Sequence, residues 1–210
     1  MREDTVRSSE ATTQAASARE LARLFAAKLE GMSGLRRALA AWTLARDTLE
    51  SNLAQRVEPG ACRMGCAWCC NFQVTVRFAD AAQLARRARA EPALEQRVRA
   101  TAARIAHLTD PVARLKAAIP CAFLDPDSGA CRVYADRPLA CRAYRSRDAD
   151  WCRTLVGTDA TAVPGAPVIK DGLAIRMVIN AAMVEVTPAA WRAKGELHGM
   201  VVRVLDQIPR

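Results

Sequence analysis

From Ser17 onward, apolar residues recur at three- and four-residue steps: Leu21, Leu24, Phe25, Leu29 and Met32. That period predicts a helix, with Ser17 as a candidate N-cap. Gly31 and Gly34 interrupt it. Leu35, Leu39, Trp42, Leu49 and Leu53 then continue the pattern into a second helix, which Pro59-Gly60 ends. Residues 17–58 therefore read as a helical arm, whose apolar stripe suits a core-packing hairpin or an oligomer seam. Residues 1–16 are rich in Ser, Thr, Ala and charge and read as a disordered tail.

Beyond the arm the period changes. Asn71 to Phe78 alternates apolar and polar residues, a short strand signature. Asp80 is placed to cap a helix from Ala81 to Ala90, and Pro92 opens another bearing Leu94, Val98, Ile105 and Leu108. Asp110-Pro111 breaks it, and a brief helical piece runs from Val112 to Ile119. Pro120 to Arg153, punctuated by Pro126, Gly129 and Pro138, reads as loops and turns, and Gly157 to Asp171 as a linker. Helix returns over Leu173–Val186. Thr187-Pro188 then looks like the cap and first position of a last helix through Trp191, Leu197, Val201 and Leu205. The expected fold is mainly α with a small irregular or β element, its helices set around a loop-rich, cysteine-ligated metal site. Residues 59–210 would form that cysteine-cluster domain with its C-terminal helices.

Composition narrows the setting. A chain of 210 residues that is 51% hydrophobic and 25% charged can build a sizeable core without staples. Met1 to Glu20 lacks the apolar stretch of an export signal, and Arg176, Asn180 and Glu185 interrupt the most apolar window, so no membrane span is expected. The expected compartment is the cytoplasm, where clustered cysteines favour metal binding or catalysis over disulfides. The formal charge of +9 suggests a nucleic-acid partner at first sight. Each four-thiolate site around a divalent ion would subtract about 2 charges, and a basic balance alone selects no partner. Nucleic acid is therefore not the expected partner; a protein docking through the arm is.

The candidate chemistry lies in eight cysteines. Four fall in the run Cys62-Arg63-Met64-Gly65-Cys66-Ala67-Trp68-Cys69-Cys70, and four follow at Cys121, Cys131, Cys141 and Cys152. Soft thiolates suit zinc, copper(I) and iron–sulfur clusters. The gaps of three and two residues let a loop wrap sulfurs round one centre, and the distant cysteines could close it. Adjacent Cys69 and Cys70 diverge in extended backbone, so one of them can serve a second centre or remain a spare thiol. Cys152, beyond the densest segment, reads as a bystander. His107 and His198 read as surface or packed residues, not ligands. The three-then-two spacing also matches the cluster loop of radical S-adenosylmethionine enzymes, but a helical arm precedes it and too few strands follow.

The blocks Cys62-x3-Cys66-x2-Cys69-Cys70, Cys121-Ala-Phe123-Leu124, Gly129-Ala-Cys131-Arg-Val-Tyr134 and Arg137-Pro138-Leu-Ala-Cys141-Arg142-Ala-Tyr144 occur in that order. Together they resemble the YkgJ-like cysteine-cluster family, the zinc- or iron-chelating CxxCxxCC proteins, over roughly Gly60 to Arg153. The first gap is three residues where the family's shorthand has two. The resemblance implies that Cys62, Cys66, Cys69, Cys70, Cys121, Cys131 and Cys141 are metal ligands or their neighbours. The metal it implies is zinc or iron, a [4Fe-4S] cluster included. A similar cluster occurs in flagellin lysine methylases, but no separate methyltransferase domain is visible here, so the cluster carries over and the reaction does not. Around the cysteines, Trp68 is placed to shield a metal, Tyr134 and Tyr144 to hydrogen-bond sulfur, and Arg137 and Arg142 to offset thiolate charge. The leading expectation is a metal-binding protein. Its rivals are an iron–sulfur-dependent redox or group-transfer enzyme acting on a protein, and a metal storage or transfer protein.

Overall fold

The computed structural model describes residues 2–159 and 165–207, with side chains from residue 12 onward. The element order is α1 (Arg2–Lys28), α2 (Gly34–Arg56), β1 (Thr75–Arg77), α3 (Phe78–Arg89), α4 (Pro92–Ile105), α5 (Pro111–Lys116), α6 (Leu139–Ala143), α7 (Ala149–Leu155), α8 (Lys170–Val186), β2 (Lys194–Glu196) and α9 (Leu197–Gln207). The fold is mainly α with one small two-stranded antiparallel sheet. Among the described residues no helix is long and apolar enough to cross a membrane.

Two apolar cores organise the chain. In the first, the stripe of the arm meets α8: Phe25 of α1, Leu29 in the turn after it, and Trp42, Leu49 and Leu53 of α2 pack with Ile179 and Met183. Leu139 and Ala143 of α6 join them, which seats the helix bearing Cys141 on the arm. Arg37 ties the helix ends together, donating through Nε to the Val186 carbonyl and through an Nη atom to that of Leu29, each at 2.7 Å. The Val186 carbonyl ends α8, and a cation there also suits the helix dipole. In the second core, α3, α4 and α9 bring together Phe78, Leu84, Leu94, Val98, Val201 and Val204, with Phe123 and Val133 from the cysteine region.

Buried Asp80 joins the two cores. Its carboxylate accepts from Trp42 Nε1 at 2.8 Å, from the Leu139 N–H at 3.0 Å and from the Arg77 N–H at 3.1 Å. Asp80 was expected as an N-cap. The helix instead begins at Phe78, so Asp80 lies one turn in and reaches back to the cap residue's amide.

Other boundaries also move. α1 begins at Arg2, ahead of the apolar period that starts at Ser17. The strand expected over Asn71–Phe78 contracts to Thr75–Arg77, because Trp68–Asn71 coils into a 3-10 turn and Phe78 opens α3. Thr187-Pro188 leads into a 3-10 turn at Ala189–Trp191, not the last helix. Lys194–Glu196 then pairs with β1 in the register Thr75↔Glu196, Val76↔Gly195, Arg77↔Lys194 before α9 begins. The loops expected over Pro120–Arg153 include two short helices, α6 and α7.

Candidate metal centre

The first cysteine run is pinned at its entry. Gly60 adopts φ +68, and a side chain there would bring Cβ within 2.5 Å of the Ser146 carbonyl, so only glycine fits the close approach. The Ala61 N–H donates to that same carbonyl at 2.8 Å, and the Ser146 N–H points at Cys62 Sγ at 3.3 Å. Gly65, at φ +84, turns the chain back. The 3-10 turn that follows carries Cys69 and Cys70, with the Cys70 N–H donating to the Ala67 carbonyl at 3.0 Å. Tight coiling lets these neighbours serve one side of the site, which extended backbone would prevent.

The second group comes from three local devices. The Cys121 N–H donates to the Cys70 carbonyl at 2.9 Å and so joins the two cysteine segments directly. Cys131 returns beside Leu124 in an isolated antiparallel bridge. The intervening turn is held by Asp125 Oδ1, which accepts from the amide and hydroxyl of Ser128, both at 2.9 Å. Arg97 of α4 fastens this hairpin through the carbonyls of Ala122 and Leu124, the latter at 2.6 Å. Cys141 is presented by α6, whose first amide is held by Asp80.

These segments line one cavity of about 250 Å³. Cys62, Cys66, Cys69, Cys70, Cys121, Cys131 and Cys141, the seven candidates of the sequence, all face it. All eight cysteines are free thiols. Cys152, on α7, is buried, does not line this cavity, and lies within electrostatic reach of Cys62, Cys66 and Cys69. Among the described residues, no three cysteine, histidine or carboxylate side chains are already gathered closely enough to hold an ion.

The electrostatics fit a soft cation. Burial pushes the Cys121 thiol up to about 11 and raises Cys131 and Cys66; it raises Cys141 well above the usual thiol range. Cys69 is raised first by its hydrogen bond with Cys70 and then by burial. A half-buried wall of neutral thiols becomes a set of thiolates when a metal supplies the positive charge, and each ligating sulfur then releases its proton. Arg137 lies in the cavity wall, where its charge favours the thiolates of Cys69, Cys131 and Cys141. Its guanidinium stacks 3.7 Å from the ring centre of Tyr134.

The surrounding residues divide differently from the sequence expectation. Arg142 is not a spare countercharge: it pairs with Glu50 and donates to the carbonyls of Ala135 and Arg137. Trp68 lies outside the cysteine cavity, in a neighbouring pocket with Cys66 and Asp150. Tyr144 does line the cavity, its ring set edge-on to Phe72 at 5.5 Å.

Sequence reading missed the contribution of β2 and α9. Glu196 and His198 reach the cavity wall because β2 pairs with β1. His198 Nδ1 lies 2.9 Å from Glu196 Oε1, and its Nε2 accepts from the Ala122 N–H at 3.1 Å. That acceptor role fixes the proton on Nδ1, shared with Glu196, and leaves no nitrogen lone pair for a metal. Of the two settings expected for His198, surface or packed, the structure shows the packed one. Only the Gly-flanked His198 two residues from Glu196 hinted at a polar pair.

No curated protein and no solved structure matches the chain. Residues 61–157 match the model of the CxxCxxCC family, described as a "Putative zinc- or iron-chelating domain". The matched segment contains all eight cysteines and both walls joined by the Cys121–Cys70 hydrogen bond.

Proposed function

We propose that the protein is a cytoplasmic metal-binding protein that holds zinc or iron in the cysteine cavity, with thiolates drawn from both segments. One observation carries the reading: seven thiols from separate parts of the chain line a single cavity, several of them held neutral by burial. Cys69, Cys121, Cys131 and Cys141 are the first ligand set, since Cys69 acts electrostatically on each of the other three and Arg137 favours three of the four. Cys62, Cys66 and Cys70 complete the wall. Seven sulfurs exceed the four of a mononuclear tetrahedral site, and the cavity has more room than one ion takes, so a polynuclear centre such as an iron–sulfur cluster suits it.

Anaerobic purification, followed by quantification of metal and acid-labile sulfide and by a visible spectrum, tests this directly. Iron with sulfide and a brown colour identifies a cluster. A colourless protein with stoichiometric zinc identifies zinc. If no metal co-purifies and neither zinc nor iron added under reducing conditions alters stability, the reading fails. A second reading, metal transfer, rests on Cys62, which is exposed at the cavity wall and accessible to an incoming thiol. Rapid zinc exchange with a small thiol carrier, abolished in Cys62→Ser, would favour it.

A further inference from the structure

The peptide that follows Cys121 is held by a side chain from outside the cysteine segments. His198, the second residue of α9, is 3% exposed, and its Nε2 accepts from the Ala122 N–H at 3.1 Å. Its ring also lies nearly parallel to that of Phe123, with centroids 6.4 Å apart. Glu196 orients the ring. One carboxylate oxygen takes the Nδ1 hydrogen at 2.9 Å, and the other accepts from the Gly199 N–H at 3.0 Å, so the carboxylate is itself fixed. The pairing of β2 with β1 sets Glu196 opposite Thr75 and so founds the arrangement on the sheet. Both Glu196 and His198 line the cysteine cavity.

The effect falls on Cys121. A residue has two soft backbone dihedrals, set by the planar peptides on either side of it. On one side the Cys121 N–H donates to the Cys70 carbonyl at 2.9 Å. On the other, the Cys121 carbonyl accepts from the Leu124 N–H at 3.0 Å, and the N–H of that same peptide, belonging to Ala122, meets His198. With both peptides held, the Cα–Cβ direction of Cys121 is set, and only its χ1 rotamer is left to aim the sulfur. The bond from Leu124 is local to the turn, whereas the bond to His198 comes from a helix of the second core.

We propose that His198 is a positioning residue for the metal centre: with Glu196 holding its proton on Nδ1, it fixes the peptide after Cys121 and so aims that sulfur into the cavity. The inference rests on the metal-binding reading above. It gives the ring a use other than ligand or filler. The hydrogen bonds stand in the fold without metal, so Cys121 is placed before a metal arrives and little ordering is left for loading to impose. His198 lies 76 residues from Ala122 and outside the cysteine blocks, so no spacing in the sequence announces the pair.

Cobalt(II) titration of the reduced full chain tests it, because sulfur-to-cobalt charge-transfer absorption grows with the number of bound thiolates. The variants are His198→Leu, which loses both ring hydrogen bonds; His198→Gln, whose amide can accept from Ala122 and donate to Glu196; and Cys121→Ser, alone and combined with His198→Leu. His198→Leu should bind cobalt about 10-fold more weakly, the lower end of the effect of losing a partner outside the ligand set, since it acts through backbone. Its charge-transfer absorption should fall by the share of a single thiolate. His198→Gln should recover most of both losses. In the Cys121→Ser background, His198→Leu should change neither, because its route to the metal is gone. Wild-type affinity and spectrum in His198→Leu overturn the proposal. A loss that persists at full size in the Cys121→Ser background overturns it too, since that marks a general loosening of the fold. If His198→Leu does not fold, the wild-type chain decides: nitrogen NMR should find the ring proton on Nδ1, and the Ala122 amide should exchange slowly with solvent. A ring proton on Nε2, or rapid Ala122 exchange, overturns the proposal. A wild-type chain that takes up no metal refutes the metal-binding reading itself. A loaded wild type matched by a loaded His198→Leu refutes this inference alone.

Discussion

The two cores of this protein are closed by different means. In the arm core, Leu29, Trp42, Leu49, Ile179 and Met183 meet one another and are almost completely buried. Apolar side chains need only other apolar side chains, so this region is complete as the chain alone builds it. The second core has an equally buried base in α3, α4 and α9, but at its edge Cys121 and Cys131 pack half-buried beside Phe123 and Val133. There the wall turns into a cavity of thiols. Thiols left neutral by burial contribute little to one another, and a cation is the missing partner. One region is therefore expected to stand without metal and the other to depend on it.

Metal removal is the largest test of that contrast. Structural zinc contributes on the order of 10–16 kcal/mol in small zinc peptides. Chelation should strip hydrogen-exchange protection from the hairpin around Cys121–Cys131 and from α6 and α7, while α1, α2 and α8 keep theirs. Equal loss in both regions would show one cooperative unit and break the comparison.

Asp80 links the regions, and its removal should follow in size. Asp80→Ala orphans the Trp42 indole N–H and the amides of Leu139 and Arg77, at about 1–3 kcal/mol for each group that stays buried, or about 3–5 kcal/mol in total after relaxation. Urea unfolding should show the loss. Burial raises the Asp80 carboxyl while its three hydrogen bonds oppose the rise. A raised folded-state value means that its contribution to stability is present at acid pH and lost as pH climbs through that value. Asp80→Asn, which does not titrate, should therefore lose less at pH 7 than Asp80→Ala. An Asp80→Ala chain as stable as wild type would show that the link carries nothing.

The contrast explains which parts were legible in sequence. The arm was readable because Leu21, Leu29, Leu49 and Leu53 repeat at helical steps and Pro59-Gly60 stops them, a signal local to the chain. The seven cavity cysteines were readable because thiols have few other uses at that density. What pairs at long range was not. β1 and β2 are three residues each and far apart in sequence, so neither carries enough alternation to announce the other, and with them Glu196 and His198 stayed hidden. Thr187-Pro188 has the chemistry of a helix start, yet the chain spends it on a 3-10 turn because β2 must first reach β1. Arg142 looked free for the thiolates because Glu50, its partner, comes from the arm.

A smaller effect concerns pH. Burial moves the Cys121 thiol from 9.0 to about 11 in the metal-free fold. Below the unfolded value the thiol is protonated in both states and its contribution is fully present; between about pH 9 and 11 the unfolded chain ionises first and stability is lost. Two pKa units correspond to about 3 kcal/mol as an upper figure. Metal-free protein should thus unfold at lower urea at pH 10.5 than at pH 8, and loading should flatten that slope, because a ligating sulfur is already ionised. A slope that survives loading would remove Cys121 from the ligand set and sharpen which thiols the metal takes.

Cys152 gives the smallest effect and the finest division between the two regions. It is the one cysteine buried outside the cavity lining, on a short helix whose first turn is capped by the Asp148 carboxylate, yet Cys62, Cys66 and Cys69 all lie within electrostatic reach. If it is packing material, Cys152→Ala costs about 1 kcal/mol for a small cavity and leaves the metal content per chain unchanged, whereas Cys66→Ser loses metal. Metal analysis of the two purified variants, with urea unfolding of each, separates these outcomes. Equal metal loss in both would move Cys152 into the centre. It would then carry the dependence on metal through α7, a helix that would otherwise be held by its own cap and by apolar contact.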